Sequence, residues 1–276
     1  MSGKLFVVGT PIGNLGDMSP RAVETLGAVD FIAAEDTRVT IKLLNHFGLH
    51  TPMVSYYEHN LRERGKLIID RILAGENCAI VTDAGMPAIS DPGEDLVRLC
   101  HDNGIKVESV PGPTAMATAL ALSGLSVSRF CFEGFLTTAK ANRKERLEEL
   151  KTEKRTMVFY EAPHKLVNTL KDMLSYFGDR NISLVKEITK LHELAKRTTL
   201  SEALIDFEET PPKGEFVLIV EGAKIEDTAP LTLEEAVEYA KNLVAGGMPT
   251  SMAAKTAAKE TGYKKNDIYT ELIKEN

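Results

Sequence analysis

Cys78-Ala79-Ile80-Val81-Thr82-Asp83-Ala84-Gly85-Met86-Pro87-Ala88-Ile89-Ser90-Asp91-Pro92-Gly93 runs a short apolar segment straight into a Gly/Pro loop that carries two carboxylates and a hydroxyl. The apolar part reads as a buried strand. Loops at the carboxyl ends of parallel strands are where open α/β sheets bind ligands. Gly85 lets the backbone approach a ligand, and Pro87 and Pro92 reduce the entropy lost on ordering. Taken alone, the loop is equally a rigid connector. The device recurs, however: Leu5-Phe6-Val7-Val8 leads into Gly9 to Asp17, and Val107-Glu108-Ser109-Val110 into Pro111-Gly112-Pro113-Thr114.

Between these loops the chain alternates strand and helix. Ser19-Pro20 opens a helix with Ala22, Val23 and Leu26 on one face. Phe31 to Ala34 is a strand ending at Glu35-Asp36-Thr37-Arg38, and Met53 to Ser55 is another. Helices follow at Leu61 to Leu73, at Glu94 to Asp102 and, Ala-rich, up to Leu122. Such alternation predicts a largely parallel sheet covered on both faces. After a linker at Gly124 to Ser128, a second α/β block is expected. It has strands at Phe130 to Phe132, Thr156 to Tyr160, Ile182 to Val185 and Phe216 to Val220, with helices at Arg143 to Leu150 and Lys165 to Tyr176. Ala223 to Pro230 reads as a second linker, before helical patterns at Leu231 to Val244, Ser251 to Thr261 and Asn266 to Ile273 that resemble a helix-turn-helix unit. The expected division is 1–123, 124–224 and 225–276.

Composition narrows the classes. The chain has 276 residues, is 43% hydrophobic and 26% charged, and shows no apolar run long enough to span a bilayer. Its N-terminus lacks a signal-peptide profile, so a cytoplasmic protein is expected. Cys78, Cys100 and Cys131 are far apart and read as free thiols, and neither they nor the six histidines form a metal-binding spacing. Net charge is −7, yet residues 139–197 carry 14 Lys+Arg against 9 Asp+Glu. One basic region on an acidic chain fits a single face that meets a polyanion, and fits solvated helix faces as well.

The loop after the first strand invites a nucleotide reading. It lacks the Gly-Lys-Ser/Thr of a phosphate-binding loop and misses the Gly-x-Gly-x-x-Gly spacing, and Pro11 removes a backbone donor. A dinucleotide fold with Glu35 or Asp36 on a ribose stands only as an alternative.

Five segments together carry a family resemblance: Val8 to Asp17, Glu35-Asp36-Thr37-Arg38, Asp83-Ala84-Gly85-Met86-Pro87, Val110-Pro111-Gly112-Pro113-Thr114-Ala115 and Tyr160-Glu161-Ala162-Pro163-His164-Lys165. In these motifs, collinear from residue 5 to about 222, the chain resembles the tetrapyrrole-methylase superfamily, and within it the branch that acts on small-subunit ribosomal RNA. The resemblance implies two α/β domains with a cofactor cleft between them and a small C-terminal helical extension. It also implies S-adenosylmethionine as cofactor, methylation of the ribose 2′-hydroxyl of a decoding-centre cytidine in 16S rRNA within the 30S subunit, and a homodimer. Carried over by position, the cofactor residues are Pro11; Asp83, Ala84, Gly85 and Met86; Ile89 and Ser90; Thr114 and Ala115; Tyr160, Glu161 and Ala162; Gly214 and Glu215. Met86-Pro87 stands where tetrapyrrole enzymes have Asp-Pro, which leaves Asp83 as this turn's carboxylate. Thr114 is also a good helix cap, and Tyr160 fits packing as well as contact.

Methyl transfer from a sulfonium asks for in-line placement above all. A ribose hydroxyl is a poor nucleophile and gains from a base or a nearby cation. The readings are Asp36 or Glu187 as base and Arg38 or Lys190 on a phosphate, against the ordinary alternative that such clusters form salt bridges. For RNA, Arg143, Lys144 and Arg146 on the charged helix and Lys264 and Lys265 in the tail are the candidates. Glu145, Glu148 and Glu149 offer the charged helix intrahelical partners instead. Two competing functions remain: a precorrin-like small-molecule methylase, and a non-catalytic RNA-binding or ribosome-assembly protein.

Overall fold

Successive residues of a strand point to opposite faces, so a strand apolar at every position has to be covered twice. The computed structural model, which describes residues 2–224 and 232–274, shows this for the first half of the chain. Strands β1 (Lys4–Val8), β2 (Phe31–Ala34), β3 (Met53–Ser55), β4 (Cys78–Val81) and β5 (Lys106–Val110) form a parallel sheet in the order β3-β2-β4-β1-β5. Val8, Ile32, Ala34, Ala79 and Val81 pack under α1 (Pro20–Ala28) and α2 (Thr37–His46). Leu5, Val7, Phe31, Ala33, Cys78 and Ile80 pack on the other side under α3 (Leu61–Leu73) and α4 (Gly93–Asp102). Because β1 lies between β4 and β5, the loops after these three strands open side by side at one end of the sheet.

The second sheet is mixed, in the order β6-β7-β10-β8-β9. Its strands are β6 (Phe130–Phe135), β7 (Thr156–Glu161), β8 (Asn181–Lys186), β9 (Leu194–Thr199) and β10 (Phe216–Val220), and only the β6–β7 pair is parallel. One face is covered by α6 (Lys140–Leu150), α7 (Pro163–Phe177) and α8 (Leu200–Glu209) through Leu147, Leu150, Leu166, Leu170, Met173 and Leu200. The opposite face is covered by α5 (Ala115–Ser123). The sequence reading placed that helix in the first block. Its Ala119 and Leu120 instead pack on Val158, Val185, Val217 and Ile219 of the second sheet. A helix apolar on all sides carries no stripe that says which sheet it meets, and chain topology decides that.

Three elements escaped the sequence pattern. Helix α2 begins inside the Glu35–Arg38 cluster, with Asp36 as its cap accepting the Arg38 backbone N–H at 2.8 Å. Strand β9 is a polar edge strand, Leu-Ala-Lys-Arg-Thr-Thr, without hydrophobic alternation. Helix α8 opens with a capping box between Thr199 and Glu202, a helix-start signal that the sequence carries locally.

Both sheets belong to one compact unit ending at Ala223. A second unit contains α9 (Leu233–Ala245), α10 (Thr250–Thr261) and α11 (Lys265–Lys274), packed through Ala236, Ala240, Ala254, Ala257, Ile268 and Leu272. The expected linker from Ala223 to Pro230 lies outside the described residues from position 225 on, as does Leu231. All three cysteines are free; Cys78 and Cys100 are buried, and burial pushes their thiols up. No helix among the described residues is long and apolar enough to cross a membrane.

Candidate active site

The loops after β1, β4 and β5 are tied to one another by their backbones. Thr10 and Gly85 exchange both main-chain hydrogen bonds, at 2.9 and 3.1 Å, and the buried Thr10 hydroxyl donates to the Thr82 carbonyl. Gly9 and Gly112 approach so closely that a Cβ on Gly9 would stand 2.6 Å from the Gly112 Cα and 2.7 Å from the Met86 sulfur. The Gly112 N–H points at that sulfur, 3.2 Å away. The Met86 side chain therefore has a packing role, filling the seam between the β4 and β5 loops.

Asp91 shapes the rest of the β4 loop. Its carboxylate accepts the N–H groups of Ala88, Ile89 and Gly93, at 3.0, 3.2 and 2.7 Å. Ala88 and Ser90 adopt left-handed backbone at φ +66° and +64°. Non-glycine residues held there store strain that the surroundings must offset. The other two such residues among those described, Glu187 (φ +51°) and Thr189 (φ +65°), lie in the loop after β8. A Cβ on Gly13 would meet Lys190, Ile188 and Thr189 within 2.9 Å, so the β1 loop docks on the β8 loop. Gly214 has φ +81°, and a Cβ there would lie 2.5 Å from the Glu187 carboxylate.

These loops enclose a cavity of about 270 Å³ between the two sheets. Of the residues anticipated around a cofactor, Asp83, Ala84, Gly85, Met86, Ile89, Ser90, Thr114, Ala115, Tyr160, Glu161 and Glu215 line it, and Pro11, Ala162 and Gly214 do not. Thr114 caps α5, accepting the Ala117 N–H at 3.1 Å. The Tyr160 hydroxyl accepts the Met116 N–H at 3.1 Å, joining β7 to the start of that helix, and burial pushes this phenol up.

Charge is unevenly distributed around the cavity. Among the described residues, Glu35, Asp83, Asp91, Glu161, Glu187 and Glu215 line it with a single cation, Lys190. Asp91 is occupied by the three N–H groups. Glu161 is occupied as well, accepting the Ala162 N–H at 2.9 Å and the Thr169 hydroxyl at 2.5 Å. Glu35 accepts the Thr82 hydroxyl at 2.5 Å. Asp83 accepts the Asp36 N–H at 3.2 Å through Oδ1, and burial and then the Glu35 charge raise its proton affinity. Such a lining suits a ligand that carries positive charge. Ile12, Met116, Tyr160 and Val217 add an apolar wall for a flat ring system. Sulfonium, ammonium and adenine together describe S-adenosylmethionine, and the residues fit it. Among the described residues, no group of three His, Cys, Asp or Glu stands positioned to hold a metal ion.

The catalytic candidates separate. Glu187 and Lys190 line the cavity, paired at 3.2 Å. Asp36 and Arg38 do not line it. Asp36 holds Arg38 through Nε at 3.0 Å and Nη2 at 2.6 Å, and that hydrogen-bonded guanidinium lowers its carboxyl to about 2. A carboxylate this weakly basic is a poor general base. The RNA candidates divide likewise. The Arg143 side chain, 15% exposed, binds Asp172 at 2.7 Å and the Thr169 hydroxyl at 2.9 Å, bracing α6 against α7. Its donors are thus engaged within the protein, whereas the expectation there was a phosphate contact. Arg146 is bound to Glu133 and Glu149. Lys144 and Lys264 are exposed, and exposed Lys265 reaches Ser251 at 3.0 Å.

Ile12, Thr82, Asp91, Met116, Phe135, Ile188, Phe216 and Val217 also line the cavity and were absent from the sequence-derived set of site residues, while Glu35 was anticipated only under the dinucleotide alternative. Thr82 adjoins the Asp83 motif, and Asp91 adjoins Ser90, so both lay next to residues already singled out. Phe135 had no such signal, because the β6–β7 register shifts between Phe132 and Gly134 and alternation fails there.

Comparison with known proteins follows the same lines. The family model described as Tetrapyrrole (Corrin/Porphyrin) Methylases matches residues 4–204. The chain is 47% identical over 268 residues to a ribosomal RNA small subunit methyltransferase I of Synechocystis sp., a match covering 97% of this chain and 96% of that protein. A protein of the same name from Thermotoga maritima is 48% identical over 220 residues, 80% of this chain and 99% of the relative. That relative is thus shorter by about the length of the three-helix unit. Among solved structures, a uroporphyrin-III C-methyl transferase from Thermus thermophilus complexed with S-adenyl homocysteine aligns with TM-score 0.58 at 18% identity. The match covers 79% of this chain and 97% of that one, and it is a likeness of fold.

Proposed function

The chain belongs to the tetrapyrrole methylase family, in the group named ribosomal RNA small subunit methyltransferase I, and from this we propose that it methylates the ribose 2′-hydroxyl of a decoding-centre cytidine in 16S rRNA. It is an S-adenosylmethionine-dependent methyltransferase. One observation carries the reading: an acid-lined cavity stands where the motif loops meet, in a chain 47% identical over nearly its whole length to a protein of that name.

When bound, S-adenosylmethionine supplies a methyl group on a sulfonium, an electrophile with a neutral leaving group. Glu187, Glu215 and the backbone of Ala84-Gly85-Met86 would hold it, with Tyr160 and Val217 against the adenine. The protein's further task is to make the ribose oxygen nucleophilic. We assign this to Asp83. Its Oδ1 is fixed by the Asp36 N–H, and its proton affinity is raised by burial and by Glu35. A carboxylate so placed takes the 2′ proton as the oxygen–carbon bond forms. Arg38, at the outer corner beside Asp83, and Lys190, at the cavity wall, stand for backbone phosphates. The substrate is the assembled 30S subunit in the cytoplasm, and the active form is a homodimer.

Incubation of the protein with labelled S-adenosylmethionine and either 30S subunits or naked 16S rRNA tests this reading. Label on a cytidine ribose in the 30S subunit, with transfer that weakens steeply as salt rises, is expected. Label on a base, or none on rRNA, overturns it.

A further inference from the structure

Phe135 lines the cavity and is nonetheless 59% exposed. Its backbone is held on both sides. Gly134 before it is buried, at φ +62° on the β6–β7 irregularity, and Leu136 after it is buried in the core beneath α6 and α7. The ring meets Tyr160 edge-on, at 5.5 Å between centroids and 61° between planes. The β4 loop stands alongside, since a Cβ on Gly134 would lie 3.1 Å from the Ser90 hydroxyl. Ile89 on that loop also lines the cavity and is 39% exposed. The cavity rim therefore presents an aromatic ring and a branched aliphatic side chain on two neighbouring elements.

A cavity of about 270 Å³ falls just short of the roughly 300–1,000 Å³ of small-molecule sites, so the cofactor fills it and the rim meets what binds next. We propose that Phe135 is the stacking platform for the base of the target nucleotide, holding it unstacked so that its ribose faces Asp83. The inference rests on the rRNA-methyltransferase reading above. Unpaired bases splayed from RNA are held in this way, face-on to aromatic side chains. Stacking fixes the nucleotide without reading its identity, because every base presents a π-face.

The test compares Phe135→Leu, which keeps apolar bulk and loses the aromatic face, with Phe135→Tyr, which keeps both. S-adenosylmethionine affinity is measured by calorimetry, and KM and kcat are measured on 30S subunits. Phe135→Leu should raise KM for 30S about tenfold or more with cofactor affinity and melting temperature unchanged, and Phe135→Tyr should stay near wild type. A KM for Phe135→Leu within about twofold of wild type overturns the proposal while the functional reading stands. A parallel loss of cofactor affinity overturns it too, placing the ring on adenine. A wild-type protein that transfers no methyl to 30S overturns the functional reading and this inference with it.

Discussion

Two carboxylate–cation pairs look interchangeable in the sequence, Asp36 with Arg38 and Glu187 with Lys190, and the fold treats them oppositely. The first pair begins a helix. Asp36 turns back to cap α2 and grips Arg38, and neither residue lines the cavity. The second pair follows a strand, and the left-handed backbone at Glu187 and Thr189 turns the loop so that both Glu187 and Lys190 line the cavity. What separates them is backbone direction at the strand end. An ion pair at a helix start completes a local motif, whereas one in a strained loop is held by its surroundings. On the first corner it is Asp83, held by the Asp36 N–H, that lines the cavity, and to it we assign the role of base.

That contrast breaks most decisively at Asp83. Asp83→Asn should cut turnover on 30S subunits by about 10²–10⁴-fold, with S-adenosylmethionine affinity nearly unchanged by calorimetry. Asp83 has a raised pKa in the folded protein, so wild-type kcat should rise with pH through a value above that of an ordinary aspartate. The same direction means that the ionised form costs stability: its favourable contribution holds below the unfolded pKa and is lost as pH rises through the folded one. Asp83→Asn should therefore melt no lower than wild type at neutral pH, and a lower melting temperature would mean a structural role.

A smaller effect is expected at Gly214. Alanine there must adopt φ +81°, and its Cβ would stand 2.5 Å from Glu187. Strain of this kind costs about 1–3 kcal/mol. Displacing Glu187 should lower kcat/KM about tenfold or more in steady-state assays. Unchanged kinetics would remove the Glu187–Lys190 pair from the working site.

The smallest effect belongs to Asp36. Asp36→Ala should lower the melting temperature through the lost cap and leave turnover within about threefold of wild type. With its pKa lowered from 3.8 to about 2, Asp36 contributes stability that is present above the ordinary value and lost as pH falls through about 2. Acid unfolding curves of Asp36→Ala and wild type should therefore differ above pH 3.8 and converge as the pH drops to about 2. A large turnover defect would restore Asp36 as the base.

Much of the site could be read from the chain because its parts are contiguous. Asp83-Ala84-Gly85-Met86 and Thr114-Ala115 lie in or at the end of loops after β4 and β5, Tyr160-Glu161 ends β7, and each segment lines the cavity. The misses share a cause as well. Phe135 follows a bulge that breaks alternation, β9 carries no apolar pattern, and Arg143 looks like any surface arginine until α7 brings Asp172 and Thr169 to it.

The sequence by itself determined the apolar strands, the Gly/Pro loops and the parallel first sheet, since apolar period, turn chemistry and the need to cover both faces of each strand are local properties. Tertiary structure alone decided which sheet receives α5, which of two similar ion pairs meets the cavity, and which arginine is buried. Those outcomes depend on residues distant in the chain meeting in space, and no local pattern encodes that.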